Sequence, residues 1–307
     1  MPSPFELLSR PAREPIRRWV LSAFPRTDTG SLDYDHPRGD PGLFGPDSAT
    51  WRVHSDFPGM LAGGLAALTL QTLHPLALAG VWDHSNFRGD LLGRLRRTTA
   101  FVGGTTYAPR DQAEGLIAHV RQIHDHITGH GEDGRPYSAN DPHLLTWVHL
   151  SEAYCFLQGY RRYSHNVLPP DAADRYYDEV RRIAELLGAT GVPASEREVL
   201  GYFRDIQPEL GHTQRSREVL GLLAQVRLPV PAASLSRDLF LLAGNALLPD
   251  WATTMLGHTP HQRRQARFAG HALWSIAPIF RAALRDGIAS RACRRMHVRP
   301  EQLQRWT

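Results

Sequence analysis

The sequence contains no lysine, so all 35 of its basic residues are arginine. Such uniform use of arginine indicates the coding bias of a GC-rich genome as much as a need for guanidinium groups, so the basic pI says little about a partner. The formal charge of +4 is modest for 307 residues, and aromatic residues do not alternate with the arginine runs. Because single-stranded nucleic acid is bound by basic and aromatic side chains together, we expect no nucleic-acid partner.

Cysteine is also scarce. Cys155 and Cys293 are the only two, they lie far apart, and they form neither a CxxC pair nor a zinc-type spacing. A structural disulfide framework is therefore not expected, and the reducing cytosol is the default location. The stretch MPSPFELLSRPAREPIRRW is interrupted by charges and lacks the apolar run of a secretory signal. The sequence thus predicts a cytoplasmic protein.

One long stretch, residues 60–82, contains no charged residue and is long enough to reach across a bilayer. Its polar residues Gln71 and His74 and its Pro75 argue against a span, because proline breaks or kinks a helix. We therefore expect a buried helix that bends at His74 and Pro75, and no transmembrane segment.

Strand-like alternation of apolar and polar residues is nearly absent, whereas helical spacing is frequent. Helical patterns cover residues 16–24, 90–102, 112–127, 143–163, 172–187, 195–206, 213–222, 235–247 and 260–285. The fold class expected is all-α, a single-domain bundle of many helices around a buried cofactor pocket, over residues 51–285. Residues 1–50 are expected to form an ordered segment that wraps this domain. Residues 286–307 are expected to form a basic tail whose arginines face solvent.

His124 shares a helical face with Val120, Ile123 and Ile127, a pattern that points its imidazole inward. An imidazole among aliphatic groups is costly to charge and needs a partner for its second nitrogen, which a metal or a buried hydrogen bond would provide. A single inward-facing histidine is more often satisfied by a protein group than by a metal. The pattern alone leaves both interpretations open.

Other polar residues occur at positions that could matter. Arg94 and Thr98 are i, i+4 neighbours, so a guanidinium and a hydroxyl project from one side of a helix. At the expected bend, we interpret His74 as a donor that caps the carbonyl left free by proline. His84 ends the second half of the bent helix, as a cap or as a residue that lines a pocket.

A non-haem di-iron site is one metal centre that an all-α fold can hold, and it requires two Glu-x-x-His pairs and two further glutamates. The chain has one such pair, Glu209 and His212, while His149 and Glu152 occur in the reverse order. The set is incomplete. No GxSxG, Walker or GxGxxG pattern occurs in a strand-to-helix context, so hydrolase, NTPase and dinucleotide-binding functions have no support.

Several unusual strings nevertheless occur together, in the order LQTLHPLALAGVWDHSNF, RLRRT, VRQIHDHITG, GRPYSANDPHLLTWVH and FLQGYRRY. They resemble the signature of the DUF2236 family, the group of oxygenase MpaB and rubber oxygenase (latex-clearing protein). The similarity extends from DPGLFGPDSATW to LLPDWATTML. It implies an all-helical protein that binds haem b and uses dioxygen to cleave carbon–carbon double bonds of isoprenoid substrates.

The resemblance also implies roles for individual residues. His124 matches the proximal haem ligand, and Arg94 and Thr98 match residues of the distal side, where dioxygen binds. Arg97 stands where the latex-clearing enzymes have a lysine that can ligate the iron, and a guanidinium stays protonated and is a very poor iron ligand. The glutamate base of those enzymes falls near residues 78–82, which contain no carboxylate at the matching position.

The sequence therefore predicts a haem b-dependent oxidoreductase, an oxygenase whose iron is held by His124. Arg94, His74 and His84 are the other candidate cofactor-binding residues, and Arg94 and Thr98 are the candidate catalytic residues. Arg94 could orient dioxygen or pair with a haem propionate, and the sequence leaves both uses open. The expected partners are a small hydrophobic substrate, dioxygen and an electron donor. The alternatives are a haem- or lipid-binding protein without turnover, a non-haem di-iron oxidase, and a structural protein.

Overall fold

The computed structural model describes residues 14, 17–18, 32–226, 233–284 and 286–306, so the helix expected over residues 16–24 lies almost wholly outside the described residues. The helices are α1 Ala49–His54, α2 Phe57–Gln71, α3 Pro75–His84, α4 Leu91–Tyr107, α5 Arg110–His124, α6 Pro142–Tyr163, α7 Ala172–Leu187, α8 Glu196–Asp205, α9 Gln214–Gln225, α10 Ala233–Asn245, α11 Asp250–Met255, α12 Pro260–Ala283 and α13 Ile288–Arg295. Two 3-10 turns lie at Gln207–Glu209 and Pro300–Gln304. A short antiparallel hairpin joins β1 Thr128–His130 to β2 Pro136–Ser138. The all-α prediction is confirmed.

The centre of the fold is the contact between α2 and α6, around which the other helices pack. Glycines on both helices let the two backbones touch. A Cβ atom at Gly159 would lie 2.2 Å from the carbonyl oxygen of Gly59, and one at Gly63 would lie 2.7 Å from the carbonyl oxygen of Cys155. These glycines are therefore required by close packing, which outweighs their poor helix propensity.

The bend expected at His74 and Pro75 is present, and it turns α3 by 101° from α2. The role expected for His74 was wrong, because its Nδ1 accepts a hydrogen bond from the backbone N–H of Ala77, at 3.4 Å, and caps the start of α3. The carbonyl groups exposed at the bend instead accept hydrogen bonds from residues that are distant in sequence. The N–H of Gly211 donates to Leu73 and the hydroxyl of Ser216 donates to Thr72.

No helix in the described ranges is long and apolar enough to cross a membrane alone. The bent pair α2 and α3 passes such a test jointly on length and composition, and many of its side chains are buried inside the protein.

Two element boundaries differ from the sequence prediction where local signals were misleading. Helix α4 continues through Gly103 and Gly104 to Tyr107, because side chains of neighbouring elements pack directly against these glycines. Helix α5 ends at His124 rather than at residue 127, and the next residues lead into the β-hairpin. That hairpin was missed because strands of three residues are too short to show alternation.

The C-terminal segment packs against the body instead of forming a solvated basic face. Arg295 is completely buried and donates hydrogen bonds to the backbone carbonyls of Tyr34, Asp40 and Tyr107. Arg291 and Arg294 both pair with Asp35. The arginine run therefore binds the N-terminal part of the described chain to the end of α4.

Candidate functional site

A cavity of about 1060 Å³ lies between α2, α4 and α6, and it also reaches residues of α12 and α13. Its wall is mostly apolar along these helices, with side chains that include Met60, Leu61, Leu65, Leu68, Leu95, Val102 and Phe156. The volume is at the upper end of the range of small-molecule and cofactor sites, roughly 300–1,000 Å³. Such a space suits a hydrophobic molecule, a large planar cofactor, or both.

Glu152 is the carboxylate that α6 presents to this cavity. Burial raises the pKa of Glu152 to about 7, although a hydrogen bond from Gln71 Nε2, at 3.5 Å, acts in the opposite direction. Near neutral pH the group therefore exists in both protonation states, which is the condition that favours general acid or base chemistry. A titratable carboxyl group in an apolar cavity is a common property of active sites.

His54 also lines the cavity, but its two ring nitrogens are already used. Nδ1 lies 2.8 Å from the Thr106 hydroxyl and Nε2 lies 2.9 Å from the Tyr176 hydroxyl. Burial, with a smaller contribution from His149, lowers the pKa of His54 to about 3. His54 is therefore a neutral structural group on the cavity wall.

Thr98 lines the cavity, as a distal residue would, whereas Arg94 is absent from the described residues that form its wall. Arg94 lies one turn earlier on α4. Burial lowers the pKa of Arg94, and the positive charge of Arg97 lowers it further. Among the described residues, no carboxylate forms an ion pair with the Arg94 guanidinium. Arg97, by contrast, is exposed and forms an ion pair with Asp90 at 3.3 Å. Arg94 is thus available to an anionic or electron-rich ligand.

His124 is the last residue of α5, and the aliphatic face expected around it is only partly present. Ile123 is 47% exposed, because the helix ends here and this side of it faces outward. His124 itself is partly buried, and burial lowers its pKa, against contributions from Asn140 and Asp125. Only two residues connect α4 to α5, and the two helices contact each other. Like Arg94, His124 is absent from the described residues that form the cavity wall.

The Nδ1 atom of His124 is buried, and in the described part of the chain it has no hydrogen-bond partner. The side-chain oxygen of Asn140 is unpartnered in the same way. Asn140 is held beside His124 because its amide nitrogen donates to Asp125 Oδ1 at 2.6 Å and to the Arg121 carbonyl at 3.3 Å. A small adjustment would let Nδ1–H donate to Asn140, leaving Nε2 as the free ligand nitrogen.

The other candidate histidines lie away from the cavity, whose described wall contains neither of them. His84 is exposed, and its Nε2 lies 3.1 Å from the Thr128 carbonyl. His74 is fully buried and faces Glu209 and His143. Of the candidate residues, the structure thus places Thr98 on the described cavity wall, whereas Arg94, His124, His74 and His84 are not part of it.

The di-iron alternative finds little support in the arrangement of its candidate ligands. Within the described ranges, a single group of three metal-binding side chains has ligand atoms within 4.8 Å of one another, namely His74, His143 and Glu209. Glu152 lies on the cavity wall and is not part of this group. One carboxylate and two imidazoles do not supply the four carboxylates that a di-iron centre of this kind uses.

An all-helical body that encloses a large apolar cavity, with a titratable carboxyl group on its wall, defines an enzyme or binding protein for small molecules. The chain belongs to the family described as ER-bound oxygenase mpaB/B'/Rubber oxygenase, catalytic domain, whose family model matches residues 51–282. The resemblance found in the motifs is thereby confirmed, and the family supports an oxygenase-type function. Searches of curated proteins and of solved structures gave no match.

Proposed function

We propose that this protein is a haem b-dependent oxygenase that uses dioxygen to oxidise a small hydrophobic molecule. The observation that carries the proposal is the large apolar cavity with Thr98 and Glu152 on its wall, in a chain that belongs to an oxygenase family. The apolar side chains of the cavity wall bind apolar groups of the substrate, and its polar side chains fix the orientation.

The chemistry of His124, Asn140 and Arg94 fits a haem. His124 has an unpartnered ring nitrogen beside an unpartnered amide oxygen, and this arrangement would fix Nε2 as the ligand to iron. Its lowered pKa keeps the imidazole neutral, as ligation requires. Arg94, which lacks an acidic partner among the described residues, would meet a propionate or the oxygen side of the haem. Haem bound there would supply the iron that binds and activates dioxygen.

The chain's own groups have separate tasks in this proposal. Thr98 donates its hydroxyl hydrogen toward an electron-rich atom at the cavity wall, and such a donor acts strongly where water is excluded. Glu152, in its ionised form, accepts a proton from the substrate at one carboxylate oxygen. It takes the place of the family glutamate that residues 78–82 do not provide.

Arg97 argues for a different resting state from that of the latex-clearing enzymes. Its guanidinium stays protonated and pairs with Asp90 at the surface, so it does not close the distal side by ligation. A cavity of about 1060 Å³ also favours a molecule of limited size over a long polymer. A small isoprenoid or another hydrophobic secondary metabolite is the substrate class proposed.

The test is a visible spectrum of protein expressed with iron and a haem precursor. We expect a Soret band in the wild type and its loss in His124→Ala, because haem iron needs the imidazole. His126→Ala is the matched control, since this exposed ring bonds only to the Gln122 carbonyl of its own helix end. Full haem occupancy in His124→Ala would overturn the ligand assignment.

Oxygen consumption separates the oxygenase from a haem- or lipid-binding protein without turnover. We expect haem-loaded wild type to consume dioxygen with a reductant and a hydrophobic substrate, and Thr98→Val to do so more slowly while retaining its haem. Stable binding of the substrate with no consumption of dioxygen would favour the binding protein instead.

A further inference from the structure

Three side chains from distant parts of the sequence meet outside the cavity. His74 lies at the bend between α2 and α3, His143 lies in the first turn of α6, and Glu209 lies in the 3-10 turn after α8. Their ligand atoms lie within 4.8 Å of one another. Glu209 Oε2 is 3.1 Å from His143 Nε2 and 3.9 Å from His74 Nε2.

The His74 ring is the unusual member of this cluster. Its side chain is 0% exposed, and its Nε2 atom has no hydrogen-bond partner among the described residues. A buried polar atom without a partner costs free energy. Because His74 Nε2 lies close to two other ligand groups, a metal ion bound between the three would supply the missing partner. The Tyr202 hydroxyl, also buried and unpartnered within the described chain, lies on a ring 6.4 Å from that of His143.

We propose that His74, His143 and Glu209 bind one divalent transition-metal ion, at a site outside the cavity. Two imidazoles and one carboxylate are the ligand set of three-coordinate protein sites that keep a position open for water. A tetrahedral ion at 2.0–2.1 Å from each ligand would place the ligand atoms about 3.3 Å apart. Small side-chain movements bring the observed spacing to this value.

The charges around the site favour a cation. Glu209 supplies a negative charge, and both imidazoles are neutral when they act as ligands. The nearby arginine, Arg135, is neutralised by Asp133, which accepts a hydrogen bond from it at 2.7 Å. The carboxylate therefore remains the dominant charge for an ion that approaches from solvent, along the exposed side of His143 and Glu209.

Metal binding would change the proton position on His74. Its Nδ1 now accepts a contact from the Ala77 N–H at 3.4 Å, which is longer than the usual 2.7–3.2 Å and therefore weak. Ligation through Nε2 moves the ring proton to Nδ1, so the ring must tilt and release Ala77. The proposal therefore includes a specific signature, namely faster amide hydrogen exchange at Ala77 when metal binds.

The experiment uses Zn²⁺ and, as a spectroscopic substitute, Co²⁺ with protein that has been treated with a chelator. We expect saturation at about one equivalent, with visible bands of a low-symmetry Co²⁺ site. His143→Ala and Glu209→Gln should each weaken binding by at least about 100-fold, because even the groups that orient metal ligands contribute 10- to 100-fold. His126→Ala and Glu185→Gln, which change exposed residues elsewhere, should leave the affinity unchanged.

The same titration on haem-loaded protein separates this site from the proposed haem pocket. We expect Co²⁺ bands to appear without a change in the Soret band, since none of the three ligands is a residue to which the haem is assigned above. The proposal is overturned if binding is not saturable, or if neither His143→Ala nor Glu209→Gln weakens it. These results do not depend on whether the protein proves to be an oxygenase.

Discussion

At the scale of single residues, Glu152 shows both what a sequence reveals and what it hides. It is the only acidic residue of α6, and a lone carboxylate in an apolar helix is a signal for function or for a buried partner. In the sequence, Glu152 stands out only as part of an incomplete di-iron pattern. Its position on the cavity wall depends on the rotation of α6 against α2, which local periodicity does not define.

The raised pKa of Glu152 has a consequence for stability that can be measured. The folded protein holds this proton up to about pH 7, whereas an ordinary glutamate loses it near 4.5. The free energy of unfolding is therefore highest, with respect to this group, below pH 4.5, where both the folded and the unfolded chain hold the proton. It falls by roughly 3 kcal/mol as the pH rises from 4.5 to about 7, because only the unfolded chain ionises in this range. We expect Glu152→Gln to remove this fall.

The measurement is urea unfolding of the wild type and of Glu152→Gln across this pH range. The difference between the two proteins isolates the contribution of Glu152, because all other ionisable groups are the same in both. A difference that does not change with pH would contradict the raised pKa.

Turnover should rise with pH through about 7 in the wild type and lose this dependence in the variant.

Asn140 provides a second test at the residue scale, which rests on the proposed haem site. Asn140→Ala removes the acceptor available to His124 Nδ1, so haem affinity should fall by about 10- to 100-fold while the Soret band is retained at saturating haem. Asn86→Ala removes only an exposed turn contact to Gly89 and serves as the control. Equal haem affinity in both variants would show that Asn140 does not orient the ligand.

At the scale of helices, the sequence predicted the elements with strong periodicity and clear ends. Residues 172–187 match α7 at both ends, and α6 begins one residue before the expected position because Asp141 caps it. The continuation of α4 through two glycines could not be predicted, since glycine disfavours helix and the packing that outweighs it is tertiary. The end of α5 at His124 also could not be predicted from the local sequence.

The contact between α2 and α6 leads to a prediction about glycine. Gly159→Ala should destabilise the protein by about 1–3 kcal/mol or more, because its Cβ would overlap the Gly59 backbone, which cannot move aside. Gly115→Ala on α5 is the matched control, since its Cβ would meet nothing within 4 Å, and it should stabilise the protein by about 0.5–1 kcal/mol. Thermal unfolding of both variants checks this. Equal effects would mean that the helices can separate.

At the scale of the whole molecule, the sites depend on contacts that no local pattern reports. His143 lies 69 positions after His74, and Glu209 lies 66 positions after His143. The sequence paired Glu209 with His212 because they are near each other along the chain, whereas the fold brings it to His74 and His143. The family motifs identified Arg94, Thr98 and His124 as candidates, but only tertiary structure shows which of them reaches the cavity.

Arg295 connects the two ends of the described chain, so its removal should affect the whole fold. We expect Arg295→Ala to destabilise the protein by roughly 3–5 kcal/mol, because two buried carbonyl groups and one partly buried carbonyl group lose their donor and a cavity remains. Arg299→Ala, at an exposed position nearby, should change stability by no more than about 0.5 kcal/mol. Urea unfolding compares the two. A small effect at Arg295 would show that water replaces its hydrogen bonds.

The bend between α2 and α3 also determines when this protein can finish folding. The carbonyls of Thr72 and Leu73 receive their donors from Ser216 and Gly211, which the ribosome adds more than 130 residues later. Until Gly211 and Ser216 have been added, the apolar stretch of more than 20 residues around the bend lacks the protein donors for these two carbonyl groups. Because transiently exposed apolar surface favours association with other chains, we expect shorter nascent chains to aggregate more readily than the complete one.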